Sequence, residues 1–253
     1  MIAHENHQQR KQTENYDAIF SGVIGQEYEL LKLISPLSTE MSRLVGEAVR
    51  EYPNYQDTLN LVELGGGTGI TTLALLTARE DLFIVSIDNE PTMQNQAKQH
   101  LRTWHDQGTL SFCAQDALSA LQAMPSASVD IVASAYTLHN FLDTYRDEVV
   151  REVYRILKPG GQFINGDRYA LDDISQHTRT IQEEVSGYFR VLTEINRLDV
   201  LEHWLAHLFS DESENHIMRE SIALQQLHNN GFTAISLTNR MAVNALVKAT
   251  KPF

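Results

Sequence analysis

Between Leu59 and Asn165 five short apolar runs alternate with amphipathic stretches, and that alternation constrains the fold more than any other feature of the chain. The runs are Leu59–Leu64, Leu82–Ile87, Thr109–Ala114, Val129–Ser134 and Gln162–Asn165, separated by helical patterns over Ile70–Arg79, Pro91–Asp106, Ala117–Met124 and Asp143–Leu157. Strand–helix–strand units of this length require a parallel sheet with right-handed crossovers and helices packed on its faces. From Asp172 to about Asn230 the pattern is helical, with no strand signal. Asn229-Asn230-Gly231 then introduces two β-rich runs, Phe232–Asn239 and Met241–Ala249, close enough together to form an antiparallel hairpin. Upstream, polar residues His4 to Gln12 precede a helical stretch from Tyr16 to about Glu51, broken by Gly22, Gly25 and Pro36. A helix is predicted over Ser38–Tyr52, ended by Pro53-Asn54. The plan is a single domain over residues 1–253, divided into a helical cap (14–52), a binding core (59–170), a helical lid insertion (171–230) and a closing hairpin (231–250).

Charge narrows the function. With 20 basic and 33 acidic side chains the net charge is −13, which argues against a phosphate backbone or an anionic membrane surface as partner. The single cysteine, Cys113, excludes an intramolecular disulfide and a thiolate zinc cluster, and with no apolar leader-like run the expected location is cytoplasmic.

The chemistry concentrates at the ends of the first three strands. Glu63-Leu64-Gly65-Gly66-Gly67-Thr68-Gly69 closes the first strand and opens a helix, a place where glycine admits positive φ and close approach of backbone to a ligand. A dinucleotide fingerprint from Gly65 would need glycine at position 70, which is Ile70. Glu63 also puts a carboxylate beside the loop, unfavourable for pyrophosphate and suited to an ammonium or sulfonium group. Asp88 ends the second strand, where a carboxylate can accept from both hydroxyls of a ribose; the alternative is a cap before Glu90-Pro91. Asp116 follows the third strand and is either a helix cap or an acceptor for an exocyclic amine of a base. Three acids at successive strand ends read as one nucleoside site.

The segments ELGGGTG (63–69), SIDNEP (86–91), QDAL (115–118), VDIVASAYTLHN (129–140) and LKPGGQF (157–163) resemble the class I S-adenosylmethionine-dependent methyltransferases, over roughly residues 59–170 and the final hairpin. The resemblance implies an α/β fold, a Rossmann-like seven-stranded sheet, parallel apart from an antiparallel C-terminal hairpin, and S-adenosyl-L-methionine as cofactor. It places Glu63, Gly65 and Gly67 at the methionine end, Asp88 at the ribose and Asp116 with Ala117 at the adenine. Asn89 and Met93 would flank the base, and Ser134 would border the site from the fourth strand. Asn15-Tyr16-Asp17 is similar to a pair that folds over the cofactor, so Tyr16 and Tyr28 are expected as lid residues.

Acceptor chemistry is expected beyond the fourth and fifth strands, at Tyr136, His139, Asn140, Arg168 and Tyr169. His139 reads either as a general base or as helix-start packing, and Arg168 either as a clamp for a substrate carboxylate or as a partner of Asp167 or Asp172. His203 and His207 stand four apart and could join Asp211 or Glu214 around a metal. The pair is read instead as an amphipathic face or as pocket lining, and no metal is assigned.

The expected function is methyl transfer to an N or O atom of a small-molecule metabolite, with no nucleic-acid or membrane partner and a homodimer as the protein assembly. Two alternatives remain. The overall plan, with Gly25 to Tyr28 and an inserted lid, is also similar to carboxy-S-adenosylmethionine synthase, although the glycine loop departs from it and no carboxylate-clamping arginine segment matches; other relatives cyclise the methionine moiety. A non-catalytic cofactor-binding partner protein is the remaining reading.

Overall fold

A computed structural model describes residues 32–33, 35–53 and 58–253. The described chain runs α1 (Pro36–Arg50), β1 (Leu59–Leu64), α2 (Ile70–Ala78), β2 (Leu82–Ile87), α3 (Pro91–His100), α4 (Arg102–Asp106), β3 (Leu110–Cys113), α5 (Ala117–Gln122), β4 (Val129–Ala135), α6 (Asp143–Ile156) and β5 (Leu157–Arg168). It continues with α7 (Ile174–Glu194), α8 (Leu198–Asp211), α9 (Glu220–Asn229), β6 (Thr233–Met241) and β7 (Asn244–Thr250). The strands form one seven-stranded sheet in the order β3-β2-β1-β4-β5-β7-β6. β1 pairs in parallel with β2 and β4, β4 with β5, and β7 runs antiparallel between β5 and β6.

Every residue of β4 is buried, as an apolar run covered on both faces should be. One face packs Met41, Val45 and Val49 of α1 and Leu73 of α2 on Leu61, Ile84 and Ile131. The other packs Leu121, Val149, Val153 and Phe232 on Val62, Leu64 and Val132. A third, small cluster of Tyr188, Leu192, Leu201 and Leu208, with Trp204 against it, holds α7 and α8 together between β5 and β6. No helix among the described residues is long and apolar enough to cross a membrane.

Three boundaries differ from the sequence reading. Lys158-Pro159-Gly160-Gly161 does not precede the fifth strand but lies within it. The β4–β5 register shifts between Val129 and Ile131, where Pro159 donates nothing and Gly160 takes φ +78°. Lys158 Nζ anchors this irregularity on both oxygens of Asp130, at 2.9 and 2.8 Å. The predicted helix over 91–106 breaks at Leu101, which is fully buried below Gly69. The hairpin turns at Ala242-Val243, later than the two runs suggested, because Val243 is buried and its carbonyl accepts from the Tyr169 N–H.

Candidate active site

β1 sits where the strand order reverses, with β2 on one side and β4 on the other, so a crevice opens at the carboxyl ends of these strands. The glycine loop forms its floor. Gly65 and Gly66 donate to the Ile87 carbonyl at 2.8 and 3.2 Å, and Gly69 donates to Gly66 at 2.9 Å, folding the loop over the end of β2. A Cβ on Gly65, at φ +70°, would lie 2.0 Å from Thr137 Oγ1 and 2.8 Å from its Cβ, so space and backbone both demand glycine there; one on Gly66 would lie 2.0 Å from Ser86 Oγ, which would have to turn away. Gly67, at φ +51°, faces open space along the crevice.

The crevice is a cleft of about 650 Å³ whose wall includes Gly65, Gly67, Asp88, Asn89, Met93, Asp116 and Ala117, seven of the residues the sequence reading assigned to the cofactor. Asp88 accepts from the Gly67 N–H (2.7 Å) through Oδ2 and from the Glu90 N–H (2.8 Å) through Oδ1, which leaves lone pairs on both oxygens for a diol. The helix cap here is Glu90, not Asp88. Asp116 does cap α5, accepting from Ser119 N–H at 2.9 Å, and it also takes a hydrogen bond from Tyr145 Oη at 3.0 Å. The Ser119 hydrogen bonds hold its carboxyl below the ordinary range. Tyr145 and Phe141, edge-to-face at 5.0 Å, complete the wall beside Asp116. Both were missed in the sequence, where their only signal is an aromatic pair four residues apart.

Other expected residues lie elsewhere. Glu63 is fully buried beneath Gly66 and does not line the cleft, because the end of β1 is covered on both faces. Its Oε2 accepts from Thr72 Oγ1 at 2.6 Å, its Oε1 has no hydrogen-bond partner, and burial pushes its carboxyl up to about 7. Ser134 is also fully buried and donates to the Leu64 carbonyl between the strands rather than lining the cleft. Tyr16 and Tyr28 lie outside the described residues.

A second cavity of about 210 Å³ opens beside the first, walled by Tyr136, His139, Asn140 and Arg168 from the core and by Tyr188, Trp204, His207 and Asp211 from α7 and α8. Tyr136, Asn140 and His207 line both cavities. His139 is 5% exposed and its Nδ1 lies 2.5 Å from Asp167 Oδ1. Asp167, fully buried, also accepts from the N–H groups of Leu138 and Arg168. Burial alone would raise its carboxyl, but the His139 ring and these donors hold it below the ordinary range. A carboxylate in that state only accepts, so a neutral His139 carries its proton on Nδ1 and turns the Nε2 lone pair toward Asp211, 3.8 Å away. Tyr136 sits at φ +50°, uncommon for an aromatic residue, with its hydroxyl bonded to Asn244 Oδ1. Burial raises its phenol far above the ordinary value, so it remains a donor.

Arg168 is paired, but with neither expected acid: its guanidinium meets Glu184 at 2.7 and 3.2 Å and Glu212 at 3.3 Å. Those acids come from α7 and the end of α8, far along the chain. Tyr169 does not face the pocket at all. It is 2% exposed, accepts from Asn165 Nδ2 at 2.8 Å and packs in the core, since adjacent residues of a strand point to opposite faces.

Among the described residues the cleft wall carries Asp88, Glu90 and Asp116 and no lysine or arginine. That charge disfavours phosphates and favours a cationic nucleoside. The approach to Gly67 is open along the cleft, whereas Glu63 lies below the loop and out of it.

Residues 62–165 match the methyltransferase domain family. A carboxy-S-adenosyl-L-methionine synthase of Hydrogenovibrio crunogenus is 24% identical over 209 residues, spanning 79% of this chain and 78% of that protein. A demethylmenaquinone methyltransferase of Leptospira interrogans is 30% identical over 120 residues, 47% of each chain. Among solved structures, an O-methyltransferase family protein from Burkholderia thailandensis superposes with a TM-score of 0.63 at 16% identity, over 95% of this chain and 60% of that one, which shows the shared fold.

Proposed function

Because the chain belongs to the class I S-adenosylmethionine-dependent methyltransferase family, with S-adenosylmethionine as its cofactor, we propose that it methylates an oxygen or nitrogen atom of a small acceptor held in the 210 Å³ pocket. The observation that carries this reading is the His139–Asp167 pair, with His139 on the wall of the second cavity, which shares Tyr136, Asn140 and His207 with the first cleft.

In this reading Asp88 holds the ribose diol, Asp116 with Tyr145 receives the adenine amine, and Gly65 and Gly67 let backbone approach the methionine end. The cofactor, when bound, supplies a methyl group already activated on a sulfonium. What remains for the chain is alignment and a proton. Alignment can supply roughly 7–11 kcal/mol of the barrier. His139 takes the acceptor proton on Nε2 while Asp167 fixes the ring and stabilises the imidazolium, as in other carboxylate–histidine pairs. Tyr188, Trp204 and Leu208 form a lid that covers the acceptor and keeps water out.

A second reading, carboxyl rather than methyl chemistry, is favoured by the 78% coverage of the synthase relative. The pocket's charge opposes it: among the described lining residues the one arginine, Arg168, is paired with Glu184 and Glu212, and Asp211 adds a further acid. Incubation with S-adenosylmethionine and a panel of phenols, hydroxy acids and amines tests the proposal. Acceptor-dependent S-adenosylhomocysteine supports it; a carboxylated cofactor product overturns it.

A further inference from the structure

We propose that His139, His207 and Asp211 form a binding site for a divalent transition-metal ion on the seam between the core and the inserted helices. One ligand atom from each residue lies within 4.8 Å of the other two. His139 Nε2 is 3.8 Å from Asp211 Oδ2, and His207 Nε2 is 3.8 Å from Asp211 Oδ1. Both spacings are too long for a hydrogen bond. The two contacts run to different oxygens of Asp211, and each exceeds the ligand–ligand separation around a tetrahedral ion, bound at about 2.0–2.2 Å, by about 0.2–0.5 Å, so a small closure of the carboxylate between the rings brings the set onto one ion.

The three residues are brought together from distant places. His207 and Asp211 stand four apart on α8 and so share one face. His139 arrives from the short turn after β4. His203, which the sequence paired with His207, is exposed and is not part of the cluster.

Two features orient the ligands in advance. Asp167 holds His139 Nδ1, the carboxylate–histidine arrangement that fixes the tautomer and aim of metal-binding imidazoles. Trp204 packs edge-on against the His207 ring, with centroids 6.3 Å apart and planes at 88°. His139 and Asp211 are nearly buried, whereas the His207 side chain is 44% exposed and marks the entry side. Two imidazoles and one carboxylate suit zinc, cobalt, nickel or ferrous iron; magnesium and calcium prefer an all-oxygen set. The remaining coordination position faces the second cavity, so the substrate class that reaches the ion is an acceptor with an ionisable hydroxyl or amine. With an ion bound, His139 is a ligand rather than a proton acceptor, and the ion acidifies the acceptor in its place.

This inference stands on the cluster's geometry and not on methyl transfer, so its test needs no turnover. Chelator-treated protein is titrated with Co²⁺ and followed by visible absorption, with Zn²⁺ as competitor. Saturable uptake of one Co²⁺ per chain, displaced by Zn²⁺, is expected. His207→Ala and Asp211→Asn should each weaken it at least about 100-fold, since even outer-shell changes cost 10–100-fold. His203→Ala should leave it unchanged. Melting curves check that the variants fold, and Zn²⁺ should raise the melting temperature of the unsubstituted protein. Absence of saturable uptake by the folded protein, retention in both His207→Ala and Asp211→Asn, or loss in His203→Ala would each overturn the assignment. Methyl transfer by ion-free protein with no Co²⁺ uptake would remove the metal site and leave the proposed function intact.

Discussion

Replacing Glu63 by glutamine should flatten the pH dependence of this protein's stability. Glu63 is fully buried under the glycine loop, with Thr72 bonded to one oxygen and nothing to the other. Burial is the largest influence on its carboxyl and raises it from 4.5 to about 7; the Thr72 and Ser86 hydroxyls lower it, and nearby Asp88 raises it further. The folded state therefore holds this proton more tightly than the unfolded state. The stability it contributes is fully present below about pH 4.5 and is lost as pH rises through about 7. At about 1.4 kcal/mol per pH unit the whole effect is about 3 kcal/mol, of which about 2–3 kcal/mol falls between pH 5 and pH 8.5. Glutamine does not titrate. Urea unfolding of both proteins at those two pH values, without cofactor, measures the difference of differences. Histidine titrations and the constant cost of burying the amide cancel in it. The unsubstituted protein should lose about 2–3 kcal/mol more than Glu63→Gln between pH 5 and pH 8.5. Equal losses, within about 0.5 kcal/mol, would refute the argument that the loop keeps a strained, ionisable carboxyl beneath it.

His139→Ala should lower turnover about 10²–10⁴-fold with near-normal affinity for S-adenosylhomocysteine, and higher pH should partly restore it; loss of melting temperature and activity together, without rescue, would mean packing alone. Asp88→Ala should weaken S-adenosylhomocysteine binding at least about tenfold by calorimetry, since it removes both the diol acceptor and the anchor of Gly67. Tyr145→Phe, which removes the hydroxyl joining Asp116 to the Leu118 N–H, should weaken the same ligand about 3–10-fold and leave turnover at saturation unchanged. S-adenosylhomocysteine should raise the melting temperature and NAD should not, because the described cleft wall offers carboxylates and no lysine or arginine for a pyrophosphate.

The sheet was legible because its strands are apolar runs covered on both faces, which stand out from the helices between them. The start of β5 was hidden because Pro159-Gly160-Gly161 carries the usual signal of a break, and only the partner strand's register shift lets a strand pass through it. Of the three acids read at strand ends, Asp88 and Asp116 line the first cleft and Glu63 does not. Glu63 was misplaced because its position shows a strand end but not how deeply that end is covered. Grouping Arg168 with Tyr169 ignored the two-residue period of a strand: Asn165, Asp167 and Tyr169 lie on one face and Arg168 on the other. The second cavity was legible on its core side and, among the inserted helices, at His207, which the sequence offered as pocket lining. Tyr188, Trp204 and Asp211 reach it from helices that pack through their own small core, and no motif links them to β4 or β5.

The most direct test of the central claim is the fate of S-adenosylmethionine during turnover with the acceptor panel, followed by mass spectrometry of nucleoside and acceptor together. The account predicts S-adenosylhomocysteine and an acceptor heavier by one methylene in equal amounts, both lowered at least about tenfold by Asp88→Ala at limiting cofactor. Methylthioadenosine with no methylated acceptor would contradict it, and so would a cofactor bound and returned unchanged across acceptors small enough to enter the 210 Å³ pocket.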